Sequence, residues 1–353
     1  MKRKVFFLIV TIFSLVICFN ISSQAATKIK ISGKNFSQQM KYYAEREDAN
    51  QDGYLSAQET SEITQIHLES NENTDIFKGI RYFTNLKELW FESYIDRRNP
   101  EDITEPERSN IQKMDLSGLN KLQKLEIECG NSYLQQINLK GCTNLKEIYI
   151  QGDGNISDIN LEQCANLQKL YCTQITMDKI KLSGMKKLQE VQLGGVMARS
   201  AIIKKCPVLK KLDVSGHNME KLELKDIDNV ENMYLWSKSL TSLDVSNLSG
   251  LKKLTCQLSS CSFLDLSKNK NLKNFNCSYS EGLRGVNVSG CKKFRAIRCN
   301  HSGLKKLNVK KNTNLRLLLC KQTDIKKLNL SNTRIRKASA LKCDPDVTVT
   351  YAK

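Results

Sequence analysis

The sequence predicts a mostly-β solenoid of short stacked coils, closed at its N-terminal end by a small helical module. Three observations point there. A phrase that begins Leu122-Gln-Lys-Leu125 recurs at Leu145, Leu167, Leu188, Leu209, Val230, Leu251, Leu272, Phe294 and Leu315, in steps of 21 to 23 residues. Within each phrase, apolar and polar residues alternate over a few positions, the pattern of a half-buried strand. Ahead of the array, an Asp/Asn-rich stretch sits between two segments of helical periodicity. At 353 residues, 40% hydrophobic and 26% charged, the chain can bury a core.

The repeats come first, because a fixed period of this length decides the architecture. Each unit reads roughly L-x-x-L-x-[C/L/I]-x-x-x-x-L-x-x-L-[D/N]-[V/L]-S-x-[N/C]-x-[N/K], as in LKKLTCQLSSCSFLDLSKNKN at 251–271. Two irregular units precede the regular ones, from Ile63 and from Leu86, the second resuming at Ile111 after an insertion at about 92–110. The phrase resembles the leucine-rich repeat of the short bacterial kind. That resemblance covers about 63–350 and implies a solenoid of the right-handed β/α-superhelix class, here with few helices. No single coil can bury its apolar side, so the coils must stack, about 4.8 Å apart, into a parallel sheet over one continuous core. The usual Asn at the ninth position is often absent, with Ser259 and Ser280 in its place. The LDVS and LDLS phrases at 243–246 and 264–267 predict a second extended segment per coil, ended by Asp/Asn-Ser turns. The array is expected over 63–335 and a C-terminal capping segment over 336–353.

The cysteines follow the repeat. Cys172, Cys256, Cys277, Cys299, Cys320 and Cys343 take the sixth, inward position of a coil, and Cys142, Cys164, Cys206 and Cys291 share a slot near the coil's end. Cysteines repeating at one slot read as small buried hydrophobes in ladders rather than disulfides or zinc ligands.

Residues 1–25 read as a signal peptide: Lys2-Arg3-Lys4, an apolar run from Val5 to Phe19, and a small-residue site around Ser23 and Ala25. The apolar run is short for a bilayer span, and no second one follows, so no transmembrane segment is expected in the mature chain. The expected location is secreted, extracellular or cell-surface associated.

Residues 26–62 form the expected N-terminal module. Residues 48–59 read D-x-N-x-D-G-x-x-x-x-x-E, the twelve-residue pattern of a calcium loop, between helices expected over about 37–47 and 57–65. Oxygen donors at these spacings suit a hard cation. Asp48, Asn50 and Asp52 supply side-chain oxygens, Tyr54 its carbonyl, Ser56 its hydroxyl or a bridging water, and Glu59 a bidentate carboxylate. The motif resembles a single EF-hand or dockerin-like loop. It implies one structural Ca2+ that braces the end of the solenoid.

Charge and aromatics suggest a face. The chain carries 55 Lys and Arg against 37 Asp and Glu, but residues 26–110 hold 11 against 16, and residues from Lys292 onward hold 17 against 3. Arg295, Lys305, Lys306, Arg316, Lys326 and Lys327 are the candidate anion-binding residues, stacked in rows by the repeat. Outward strand positions carry Trp90, Tyr149, Tyr171, Tyr234 and Trp236, with Tyr279 beside them, as candidate ligand-binding aromatics. His67, His217 and His301 lie in no catalytic motif, and the carboxylates form no defensible acid–base pair, so an enzyme is not expected. The reading is a secreted or cell-surface interaction module that binds a protein or glycan through its concave face. The alternative is a cell-envelope protein held to an anionic wall polymer by its basic C-terminal repeats. No specific nucleic-acid partner is expected.

Overall fold

The structure, a computed structural model, describes residues 28–32, 34–70, 76–93, 111–130, 134–336 and 338–351. The expected signal peptide and most of the 92–110 insertion lie outside these residues.

One residue pattern builds the molecule. In each strand, alternate side chains point inward, as in Lys124–Cys129, where Leu125, Ile127 and Cys129 are buried and Lys124, Glu126 and Glu128 are not. Among the described residues, one strand per coil joins a thirteen-stranded front sheet, parallel throughout, from Gln65–Ser70 at one edge to Leu341–Cys343 at the other. Leu89, Leu125, Ile148, Leu170, Val191, Leu212, Met233 and Leu254 share one inward row in unbroken register. Their burial joins every coil into one core.

The second extended segment is also present, but it is not continuous. It pairs in short groups, among them a three-stranded sheet ending at Asp158–Ile159 and another beginning at Lys179–Ser183. Between those two groups the back wall opens into a cleft of about 450 Å³ that reaches inward-facing Leu170, Cys172 and Leu193. The expected turn chemistry recurs: Asp115, Asp244 and Asp265 each accept the N–H of the serine two residues on, at 2.8 to 3.1 Å. The segment expected as a C-terminal cap contains one more coil, with Leu341–Cys343 extending the front sheet and Thr348–Thr350 pairing with Lys327–Asn329.

The asparagine ladder is displaced rather than lost. Asn144, Asn166, Asn271 and Asn314 stand one residue before the leading apolar residue of their coils, and each donates to a carbonyl of the preceding coil. A buried ladder lies two residues further back. There Asn269 and Asn312 each donate to two carbonyls, and Cys142 and Cys291 donate a thiol proton to Leu116 and Leu266 at 3.2 and 3.1 Å. These cysteines replace asparagine as weak donors as well as filling space. At the ninth position, buried Ser280 bridges its neighbour by accepting from Leu258 N–H and donating to the Cys256 carbonyl.

The inward cysteines of the last coils, Cys256, Cys277, Cys299, Cys320 and Cys343, stand in one column, with Cys320 and Cys343 registered directly. Every cysteine from Cys142 onward is an unbridged thiol, and all but Cys343 are buried.

The N-terminal module docks on the sheet's first edge. Helix α1 (Gln38–Glu47) is N-capped by Ser37 and buries Met40 and Ala44. Its Tyr43 hydroxyl donates to the His67 carbonyl at 2.7 Å and accepts the His67 N–H at 2.9 Å. Gln39 makes the equivalent pair of bonds with Glu69. Edge-strand groups that would otherwise invite another strand are thereby satisfied. Gly79, at φ 94°, lets Phe36 close the module against Tyr82 and Phe83, since a Cβ there would lie 2.3 Å from the Phe36 ring. Among the described residues, no helix is long and apolar enough to cross a membrane.

Candidate functional site

Two places carry the candidate residues: the loop at 48–59 and the outer face of the front sheet.

The loop runs from the end of α1 to α2 (Ala57–Glu62). Gln51 and Gly53 adopt left-handed backbone, at φ 54° and 78°, and turn the chain sharply. The Asp48 carboxylate accepts the N–H groups of Asp52 and Gly53 at 3.2 and 2.9 Å, Asn50 accepts from Asp52, and Asp52 accepts from Tyr54. Glu59 accepts from Ala49 and Ser56 at 3.0 and 2.8 Å, and Ser56 accepts from Glu59 N–H, which makes a capping box for α2. These bonds hold the Glu59 carboxyl below its usual range, and an ion pair with Lys28 does the same for Asp52. Tyr54-Leu55 pairs antiparallel with Ile29-Lys30, a strand contact within the same module. Among the described residues, no group of three or more His, Cys, Asp or Glu side chains stands ready to hold a metal. In this arrangement the carboxylates bond to the loop's own backbone. The donor chemistry nevertheless fits calcium, because all the candidate groups are oxygens on a loop already bent by Gln51 and Gly53.

The front sheet carries the aromatics. Its register aligns His67, Trp90, Glu126, Tyr149, Tyr171, Gln192, Asp213 and Tyr234 in one outward row. Tyr149 and Tyr171 stack with centroids 4.8 Å apart and planes at 4°. The Lys124 ammonium stands 5.7 Å from the Trp90 ring centroid and 5.6 Å from that of Tyr149, within cation–π range of both. Trp90 also borders a hollow of about 630 Å³ shared with Tyr43, Arg46 and His67. The neighbouring row alternates in sign, Glu88, Lys124, Glu147, Lys169, Glu190, Lys211. Lys169 reaches Glu147 at 2.9 Å and Lys211 reaches Glu190 at 3.1 Å. The Tyr149 hydroxyl donates to Glu147 at 2.9 Å, and burial together with that carboxylate pushes its pKa up to about 12.

The six aromatics therefore do not form one surface. Trp90, Tyr149 and Tyr171 form one group at the N-terminal half. Tyr234 and Trp236 form a second, beyond Gln192 and Asp213, with Trp236 edge-on to His217 at 3.9 Å. Tyr279 lies in a turn at φ 62°, stacked on His301 at 4.7 Å, and not in the row. The strand of its coil ends at Asn276, so Tyr279 falls in the turn that follows and the strand alternation no longer sets its direction. Lys124, Glu147 and Lys169 were missed in the sequence; their signal was the sign alternation at the third position of successive repeats.

The basic candidates also divide. Arg295 and Arg316 are exposed just ahead of front-sheet strands. Lys305, Lys306, Lys326 and Lys327 belong to the second segment, where Lys327 opens a back strand and Lys326 pairs with Asp346 at 2.7 Å.

Twenty-one-to-twenty-three-residue coils, one parallel strand each and a leucine-lined core define the chain as a leucine-rich-repeat solenoid. No family model matches it, and no curated protein matches it. Solved structures similar to it include the functional domain of InlJ from Listeria monocytogenes, described as including a cysteine ladder, at 19% identity over 94% of this chain and 78% of that one, with a TM-score of 0.39. The internalin InlF of the same organism shares 15% identity over 94% and 100% of the two chains, with a TM-score of 0.42. The APL1 leucine-rich-repeat domain shares 14% identity over 81% and 84%, with a TM-score of 0.43.

Proposed function

We propose that the protein is a secreted or cell-surface interaction module that engages a protein partner through the N-terminal half of its front sheet. The observation that carries this reading is the Trp90–Lys124–Tyr149–Tyr171 arrangement. It offers stacked aromatic area and a cation between two rings on a hydrogen-bonded sheet. Aromatics packed this way contribute disproportionately to protein contacts, and the alternating charges set orientation more than strength. A glycan would use the same stacked tyrosines.

Calcium belongs to this reading as a brace. Asp48, Asn50, Asp52, Ser56 and Glu59 would hold it with the Tyr54 carbonyl, and the ion would offset the loop's three carboxylates. The loop ends in α2, directly before the first strand of the front sheet, so ordering it would fix the module that covers that edge.

The experiment is capture of partners from the native extracellular environment, compared between wild type and Trp90→Ala plus Tyr171→Ala. Specific capture by the wild type, lost in the double variant, is the expected result. Equal capture by both rules out this face.

A further inference from the structure

The C-terminal half of the front sheet has a character of its own. Every carboxylate at an outward strand position from Glu69 to Asp213 lies upstream of the strand Asn232–Ser237. Glu231 is the last acidic residue beside it, and it pairs with Lys252 at 2.8 Å. From Lys253 to Cys320, no described strand of the front sheet contains an acidic residue. Asp344, past the final strand, accepts the N–H of Gln322 at 2.8 Å.

The cations remain. Lys273, Arg295 and Arg316 follow Lys252 at one position of successive coils, a row of charges about 4.8 Å apart. Arg298 stands in the outward row beside Asn276. Among the described residues, Lys273, Arg295, Arg298 and Arg316 form no salt bridge, unlike Lys169 and Lys211 upstream. A hollow of about 290 Å³ reaches one of them, Arg298, and is bordered as well by Lys253, Thr255, Asn274 and Asn276. Its rim therefore offers cations together with amides and a hydroxyl.

We infer that this half of the front sheet binds a linear anionic polysaccharide running across the coils. Unpaired guanidinium and ammonium groups would hold its sulfate or phosphate groups, and Thr255, Asn274 and Asn276 would bond its hydroxyls. The chemistry favours a polysaccharide over a nucleic acid. Single-stranded nucleic acids stack their bases on aromatic side chains, and the outward positions of the strands from Lys253 to Cys320 carry none. The nearest exposed rings are Tyr234, one strand upstream beside Thr255, and Tyr279, in the turn and stacked on His301. The proposal stands apart from the aromatic half and does not depend on a protein partner being found there. It also puts the anion site on one face, not on the back-segment lysines 305, 306, 326 and 327.

The test measures binding of the full chain to heparin, with dextran as the neutral control and single-stranded DNA as the competing class. Two triple variants of equal charge change are compared: Arg295→Glu, Arg298→Glu, Arg316→Glu on the face, and Lys305→Glu, Lys306→Glu, Lys327→Glu on the back segment. Heparin is expected to bind in a salt-dependent manner, with the face triple weakened about tenfold or more and the back triple only a few-fold. An Arg→Gln triple at the face positions should lose affinity in the same direction by less, which covers the case in which reversed charge disturbs folding. Absence of heparin binding at physiological salt overturns the proposal, and so does equal loss in the two Glu triples. Tighter binding of DNA than of heparin, lost in the face triple, replaces the polysaccharide with nucleic acid.

Discussion

The two halves of the front sheet share a core and differ on their surface. Upstream of Asn232 the outer face pairs its charges and stacks its tyrosines, while downstream it keeps cations and sheds carboxylates. The inward rows pass between the halves without a break. In a repeat fold the buried positions answer to stacking and the outward ones are released from it, so one scaffold can carry two chemistries side by side.

The largest expected effect tests whether the core is common to both halves. Phe91→Ala in the first half and Phe275→Ala in the second each remove a ring that is 1% or less exposed. Each should cost about 3–5 kcal/mol in chemical denaturation. Two separate unfolding transitions, each shifted by one variant alone, would show that the halves do not share one cooperative core.

Calcium comes next. If the loop binds it, ion at a hundred times its dissociation constant stabilises the fold by about 2.7 kcal/mol. The thermal midpoint of the wild type should rise on adding calcium, and that of Asp48→Ala plus Glu59→Ala should not. An equal response in both chains would remove calcium from the loop.

The thiols give a pH-dependent effect that both halves share. Burial raises Cys142, Cys164 and Cys291 from near 9 to about 12, 11 and 12, and pushes up Cys256 and Cys277 as well. A thiol whose folded pKa is raised adds stability that is whole below its unfolded value near 9 and declines as pH rises toward the folded value. Denaturation midpoints should therefore fall between pH 8 and pH 11. Replacing Cys256 and Cys277 by Val should flatten that fall, and an unchanged slope would place its origin elsewhere. At pH 8 the folded chain should resist alkylation at these positions.

The smallest effect concerns the paired row. Lys169→Ala breaks a half-exposed ion pair with Glu147 and should cost under about 1 kcal/mol in a urea melt. A larger loss would mean that the alternating row acts as a network.

The spacing of the leucines made the solenoid, the stacking and the inward cysteines legible, because a buried repeat position has few solutions. Helix α1 was readable from its apolar spacing. The ladder partners were not: Asn144 and Cys142 look alike as residues of a turn, and only the preceding coil shows that both donate to its carbonyls. The surface was legible in composition but not in grouping. Sequence spacing put Tyr279 beside the tryptophans and joined Arg295 to Lys305, whereas the turn carries Tyr279 away and the coil places Lys305 on its second segment.

The interrupted back wall has a mechanical consequence. In front, hydrogen bonds tie thirteen described strands side by side, while behind, between the sheets that end at Ile159 and begin at Lys179, the coils are joined only by the pairing of Gly154–Ile156 with Thr176. A strip bonded on one side and jointed on the other bends most easily at its joints. The joint lies directly behind the stacked Tyr149 and Tyr171, so the coils that carry those two rings are held together mainly by the front strands.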